Sequence, residues 1–287
     1  MELTFERLQG RRGQVQQAIA QASQRTGIDF NYLIGQAQVE SGMNAGARAG
    51  TSSARGLYQF IEQSWLGVVK AHGGEHGMGW AADAIKRTAS GRFVVADPAT
   101  RQAILGLRND AGAASLMAAE HAADNKAMLE TSLDREATGT DLYMAHFLGI
   151  GGAKKFLKTL DANPGAPAAS LFPAAARANR TIFYTGDGRA RSVSEIHDRF
   201  AAKLDKGAAA GGAVGLASRA LGTPAIDPNV EVVLGSEAQG GDRQWLASTL
   251  DQLRSPGRSP STVPESLLRP KPEHARLAYL MLAQLGV

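Results

Sequence analysis

Glu40 is the residue of this chain best placed to do chemistry. Phe30, Leu33, Ile34 and Ala37 recur at the i, i+3, i+4, i+7 spacing of one helical face, and Glu40, seven residues beyond Leu33, returns to nearly the same azimuth. A carboxyl group at the edge of an apolar stripe is partly desolvated. Desolvation disfavours the charged form and is expected to raise the pKa, as a general acid working near neutral pH requires. The alternative is an ordinary helix-end glutamate that reaches water.

The residues after Glu40 add to this. Ser41-Gly42 ends the periodic run, a loop of small residues leads through Thr51-Ser52-Ser53-Ala54-Arg55, and Gly56-Leu57-Tyr58-Gln59-Phe60 follows. No Asp or Glu lies between Glu40 and Gln59. A hydrolytic glycosidase needs two carboxyl groups, one to protonate the leaving oxygen and one to act as nucleophile or to activate water. The facing loop supplies no second one, although Glu62, Glu75 or a later acid could fold back. Gln59 offers two donors and an acceptor suited to an acetamido group, and Tyr58, Phe60 and Tyr143 offer flat apolar surface for a pyranose ring, with core packing as the alternative for each. His146 could contact a substrate or be structural.

The Glu-Ser-Gly triplet, the small-residue loop and the Gly-Leu-Tyr-Gln-Phe block resemble the core of the lytic transglycosylases related to soluble lytic transglycosylase and goose-type lysozyme. The resemblance covers roughly residues 25 to 200. The family's second block, usually Ala-Tyr-Asn-Ala-Gly, has its nearest counterpart in Ala145-His146-Phe147-Leu148-Gly149, with Phe147 where an Asn usually contacts sugar. The resemblance implies an all-α, lysozyme-like domain in which Glu40 is both general acid and general base. It would protonate the bond between N-acetylmuramic acid and N-acetylglucosamine, then accept the muramic acid 6-hydroxyl proton as a 1,6-anhydro ring closes. Ser53, Tyr58, Gln59, Phe60, Tyr143, His146 and Tyr184 are the expected substrate contacts, Tyr184 in the place of a family tyrosine that hydrogen-bonds the acid. No cofactor is implied. A true muramidase, or a non-catalytic adaptor of a secretion, flagellar or phage assembly, remains an alternative.

One rival pattern carries metal chemistry. His72-Gly73-Gly74-Glu75-His76 matches the H-x-x-E-H arrangement of some zinc peptidases. Two adjacent glycines cost about 2 kcal/mol of helix propensity relative to alanine. A solvated loop with no metal is therefore expected, within a mobile connection over residues 71–80 marked by four glycines.

The elements that would position these residues are helical. Residues 13–24 read as an Ala/Gln-rich helix; Asp29 is a plausible N-cap for the next, with Ile28 and Leu33 as a hydrophobic staple and Gly42 beyond its end. Gly56 to Trp65 should turn from loop into helix. Asp97-Pro98 opens a helix towards Leu107, and Ala111 to Leu129 reads as a long buried one. Helices over 141–148 and 153–160 flank Gly149-Ile150-Gly151-Gly152, which lacks phosphate-loop spacing and suits a tight turn. Thr181 to Tyr184 is the one strand candidate, then a turn at Gly186-Asp187-Gly188 and a capping box, Ser192 with Glu195, opening a helix to about Leu204. Gly207 to Gly215 is Ala and Gly apart from Val214, a linker composition. The expected division is therefore a catalytic domain over residues 1–205 and a linker with a small helical C-terminal appendage over 206–287, docking a protein partner through Leu246, Leu250 and Leu253 or Leu277, Leu280 and Leu282.

Composition sets the remaining bounds. The 287 residues carry a formal charge of +4 and no cysteine, so disulfides and thiolate metal sites are excluded. An isoelectric point of about 9.4 favours approach to an anionic polymer such as cell wall, without the basic runs interleaved with aromatics that nucleic-acid binding needs. The first residues lack the apolar core of a secretory signal, and no stretch is long enough to span a bilayer. The expected location is periplasm or cell wall, reached without a recognisable signal or after its removal.

Overall fold

In the computed structural model, which describes residues 2–50 and 52–219, the chain is mostly helical. In chain order the helices are α1 (Glu2–Thr26), α2 (Phe30–Ser41), α3 (Glu62–His72), α4 (Gly79–Ala84), α5 (Pro98–Gly106), α6 (Ala111–Leu133), α7 (Gly139–Ala162), α8 (Ala168–Leu171), α9 (Pro173–Ala178), α10 (Arg180–Phe183) and α11 (Val193–Gly211). An antiparallel hairpin, β1 (Ile85–Arg87) with β2 (Phe93–Val95), pairs Lys86 with Val94. Among the described residues no helix is long and apolar enough to cross a membrane.

α2 is the central element. Six consecutive residues, Tyr32 to Ala37, are buried, so the helix meets protein all round, with α1, α6 and α11 packed against it. Its ends are fixed locally. The Asp29 carboxylate accepts from the Tyr32 amide at 2.8 Å, and Gly42, in the left-handed region at φ 63°, donates its N–H back to the last turn. The Asp97 and Asp110 caps and the Ser192–Glu195 capping box open α5, α6 and α11 in the same way. Gly149, at φ 69° and ψ 160°, kinks α7 where the tight turn was expected.

The α2–α11 contact is made by glycines. A Cβ on Gly35 would lie 2.9 Å from the Leu204 carbonyl oxygen, one on Gly207 would lie 2.9 Å from Val39 Cγ2, and one on Gly211 would lie 2.3 Å from Ile34 Cγ2. The backbones approach closely because these side chains are absent. The expectation of a linker starting at Gly207 is thereby corrected: Gly207, Ala208 and Gly211 are buried helical residues. Small residues signal flexibility only where nothing packs on them. Beyond the helix, Ala217 is buried and the Gly139 amide donates to the Arg219 carbonyl at 2.7 Å, so the compact unit continues past residue 205. The predicted C-terminal helices and their leucines lie outside the described residues.

Two other local expectations are overturned. Residues 181–183 are helical, not a strand, because Phe183 turns into the core with 1% exposure while Asn179 and Arg180 carbonyls take the following amides. Residues 71–80 are not a mobile loop: α3 runs through His72, Gly73–His76 forms a 3₁₀ turn, and both histidines meet acids on α6. The hairpin was not foreseen; its Phe93 backbone is held by the Gln63 side-chain amide through two bonds of 2.9 Å.

Introducing a side chain at the α2–α11 contact should be costly. Gly211→Leu is expected to destabilise by about 1–3 kcal/mol or more, the range for overpacking, as a fall in the urea midpoint. A chain ending at Leu204 should likewise lose cooperative unfolding, since Ala208, Gly211 and Ala217 leave the core.

Candidate active site

Glu40 occupies the last turn of α2, and the two residues that follow it set that position. Ser41 Oγ donates to the Ala37 carbonyl at 3.0 Å and accepts the Asn44 amide at 3.1 Å, while Gly42 reverses the chain. The loop then returns to the Glu40 side by backbone pairing, Gly56 N–H to the Ala47 carbonyl at 2.9 Å and Arg55 N–H to the Phe60 carbonyl at 3.2 Å. Arg108, itself 4% exposed, braces it by donating to the carbonyls of Ser53 (2.8 Å) and Phe60 (3.1 Å). Gly56, at φ +80°, has the Arg108 carbonyl where a Cβ would be, which explains a glycine there.

A cleft of about 200 Å³ opens at this point, lined by Glu40, Gln59 and Phe60, by Tyr143, His146 and Phe147 from α7, and by His121, Asn125 and Met128 from α6. Among the described residues Glu40 is the only carboxylate that lines it. Glu62 is committed elsewhere, to Arg101 in a paired salt bridge. Tyr143 donates its hydroxyl to Glu40 Oε1 at 3.0 Å, and His146 Nε2 lies 3.4 Å from the same oxygen. The tyrosine and imidazole rings stack with centroids 5.9 Å apart, and Phe200 of α11 supports Tyr143 edge-on at 5.4 Å. Lys203, one turn further along α11, holds its ammonium 5.8 Å from the Tyr143 ring centroid.

The electrostatics differ from the sequence expectation. Burial alone pushes the Glu40 carboxyl up, but the charge and hydrogen bond of His146, the Lys203 ammonium and the Tyr143 hydroxyl together hold it below the usual glutamate value of 4.5. Lys203 in turn is lowered by burial, partly offset by Glu40. Burial drives His121 down to about 4, so its imidazole is neutral at pH 7.

Five of the eight expected site residues come together: Glu40, Gln59, Phe60, Tyr143 and His146. Gln59 has fewer free groups than expected, because its amide nitrogen donates to the carbonyls of Gly56 (2.9 Å) and Ala47 (3.4 Å), with its own backbone at φ 49°. The other three do not line the cleft. Tyr58 is 1% exposed, its hydroxyl packed by Ser115 without a well-formed hydrogen bond. Ser53 accepts the Glu62 amide at 3.3 Å and so caps α3. Tyr184 is pinned to the Ala190 strand bridge with the Arg180 guanidinium 5.1 Å from its ring; the tyrosine that bonds the acid is Tyr143. Lys203, His121 and Asn125 were not anticipated. Asn125 is 4% exposed, yet in the sequence it stands between Asp124 and Lys126 and reads as part of a polar face, so no sequence signal marked it.

No protein-family model matches the sequence.

His146→Gln removes the strongest influence lowering the Glu40 pKa, and Lys203→Met removes another. Each is expected to move the Glu40 titration upward, read by carbon NMR of the labelled carboxyl. In the intact protein the depressed pKa contributes stability that is fully present above the ordinary glutamate value of 4.5. That contribution is lost as pH falls through the folded pKa.

Proposed function

We propose that the protein is a lytic transglycosylase of lysozyme-like fold that opens peptidoglycan by cleaving the β-1,4 bond between N-acetylmuramic acid and N-acetylglucosamine, acting in the periplasm or cell wall. The observation that carries this reading is one largely buried carboxylate, held by a tyrosine hydroxyl, in a cleft lined by no second acid among the described residues. A one-acid site suits a reaction in which the substrate supplies its own nucleophile. Protonated Glu40 gives its proton to the glycosidic oxygen and the bond to C1 breaks. The carboxylate then takes the 6-hydroxyl proton as O6 bonds C1, so that Glu40 ends protonated and no water is consumed.

Tyr143 and His146 both address Oε1, which makes Oε2 the oxygen that exchanges the proton. Tyr143 and Phe60 supply apolar surface to a sugar ring, and Asn125 with the Gln59 carbonyl oxygen supplies groups for acetamido recognition. Because His146 and Lys203 favour the carboxylate, only a fraction of the free protein carries the proton at neutral pH. Cleavage of purified wall should therefore rise as pH falls below 7, and His146→Gln should move the optimum upward if the fold and substrate contacts persist.

The deciding measurement is mass spectrometry of digested wall. Anhydro-muramic ends are expected; reducing ends would make the protein a muramidase, and no release would favour an adaptor. Glu40→Gln should retain the fold and lose roughly 10² to 10⁴-fold in rate, the range for a positioned acid.

A further inference from the structure

His72, Glu75, His76, Glu120 and Asp124 form a cluster outside the residues that line the Glu40 cleft, at the junction of α3, the 3₁₀ turn and α6. A nitrogen of His72 and carboxylate oxygens of Glu75 and Glu120 all lie within 4.8 Å of one another. His72 Nδ1 is 3.6 Å from Glu120 Oε2. That separation is long for a hydrogen bond. It matches the roughly 3.3–3.6 Å between two ligands of one tetrahedral zinc ion with bonds of about 2.0–2.2 Å.

The other contacts prepare those atoms as ligands. His72 Nε2 lies 2.9 Å from Asp124 Oδ2, so the ring donates there and leaves the Nδ1 lone pair facing Glu120. His76 Nε2 lies 2.6 Å from Glu120 Oε1, which occupies that oxygen and leaves Oε2 for the opposite side. A carboxylate behind a ligating histidine and a donor behind a ligating carboxylate are the outer contacts that orient metal ligands. The 3₁₀ turn accounts for Glu75: residues three apart eclipse in that geometry, which brings Glu75 over His72.

We propose that His72, Glu75 and Glu120 bind a divalent transition-metal ion of the zinc class that ties the end of α3 to α6. Asp124 and His76 orient two of the ligands, and water completes the coordination. This arrangement differs from the zinc-peptidase pattern in its ligands, since His76 serves Glu120 and Glu75 binds the ion. The ion's place is structural: Glu120 and Asp124 alternate along α6 with His121 and Asn125, which line the cleft, so fixing one face fixes the other.

The test uses the untagged full chain, stripped with chelator and titrated with zinc chloride by calorimetry, with cobalt(II) absorption reporting geometry. One saturable equivalent, a raised melting temperature on zinc addition and tetrahedral-type cobalt bands are expected. Glu75→Gln alters an exposed side chain and should fold normally while binding zinc at least tenfold more weakly; Asp124→Asn should weaken it about 10- to 100-fold, as for other outer-shell partners. Absence of saturable binding, or an affinity unchanged by Glu75→Gln, overturns the assignment.

Discussion

The close approach of α2 and α11 is the constraint on which the site depends. Gly35, Gly207 and Gly211 leave no room for side chains at the contact, so the two helices pack backbone against backbone. That proximity delivers Phe200 to the Tyr143 ring and places Lys203 within electrostatic reach of Glu40. A wider spacing would leave Tyr143 without its edge-on support and a carboxyl group at the end of a buried helix without compensating charge. Burying an ion is expensive unless it is paired or hydrogen-bonded, and here α7 supplies the hydrogen bond while α7 and α11 supply the charge.

This compensation changes what kind of acid Glu40 is. A carboxyl in an apolar pocket with no cation nearby rests protonated, poised to donate. Glu40 instead rests as a carboxylate, with Tyr143 and His146 on one oxygen. In the proposed reaction the proton begins and ends on Glu40, so a substrate that displaces water from the cleft must also favour the neutral form. Phe147, where the resembled family usually carries an asparagine, makes that part of the cleft more apolar, and Asn125 from the facing α6 supplies an amide from another direction.

α6 couples two regions of different chemistry. Its neutral His121 packs edge-on to Phe60 with ring centroids 6.3 Å apart, inside the cleft. Its neighbour Glu120 bonds His76, outside the cleft lining. Adjacent residues of one helix thus contact both the α3 end and the lining of the cleft.

The sequence alone determined what depends on a few neighbouring residues: the Asp29 cap and Gly42 end of α2, the Ser192–Glu195 box, the glycine kink in α7, and Glu40 at the edge of the buried face, followed by the loop that returns at Gln59 and Phe60. These signals are legible because caps, turns and helical periodicity act over three or four positions. Only the tertiary structure decided which tyrosine meets the acid, because Tyr143 and Glu40 are 103 positions apart and their contact follows from how α2, α7 and α11 pack. It likewise sent Tyr58 into the core, made a helix contact of a glycine run that reads locally as a linker, and reversed the expected direction of the Glu40 pKa. Burial can be guessed from a stripe of apolar residues; the identity of the charges that packing brings beside a buried group cannot, since they come from elements whose spacing in the chain carries no record of their spacing in the fold.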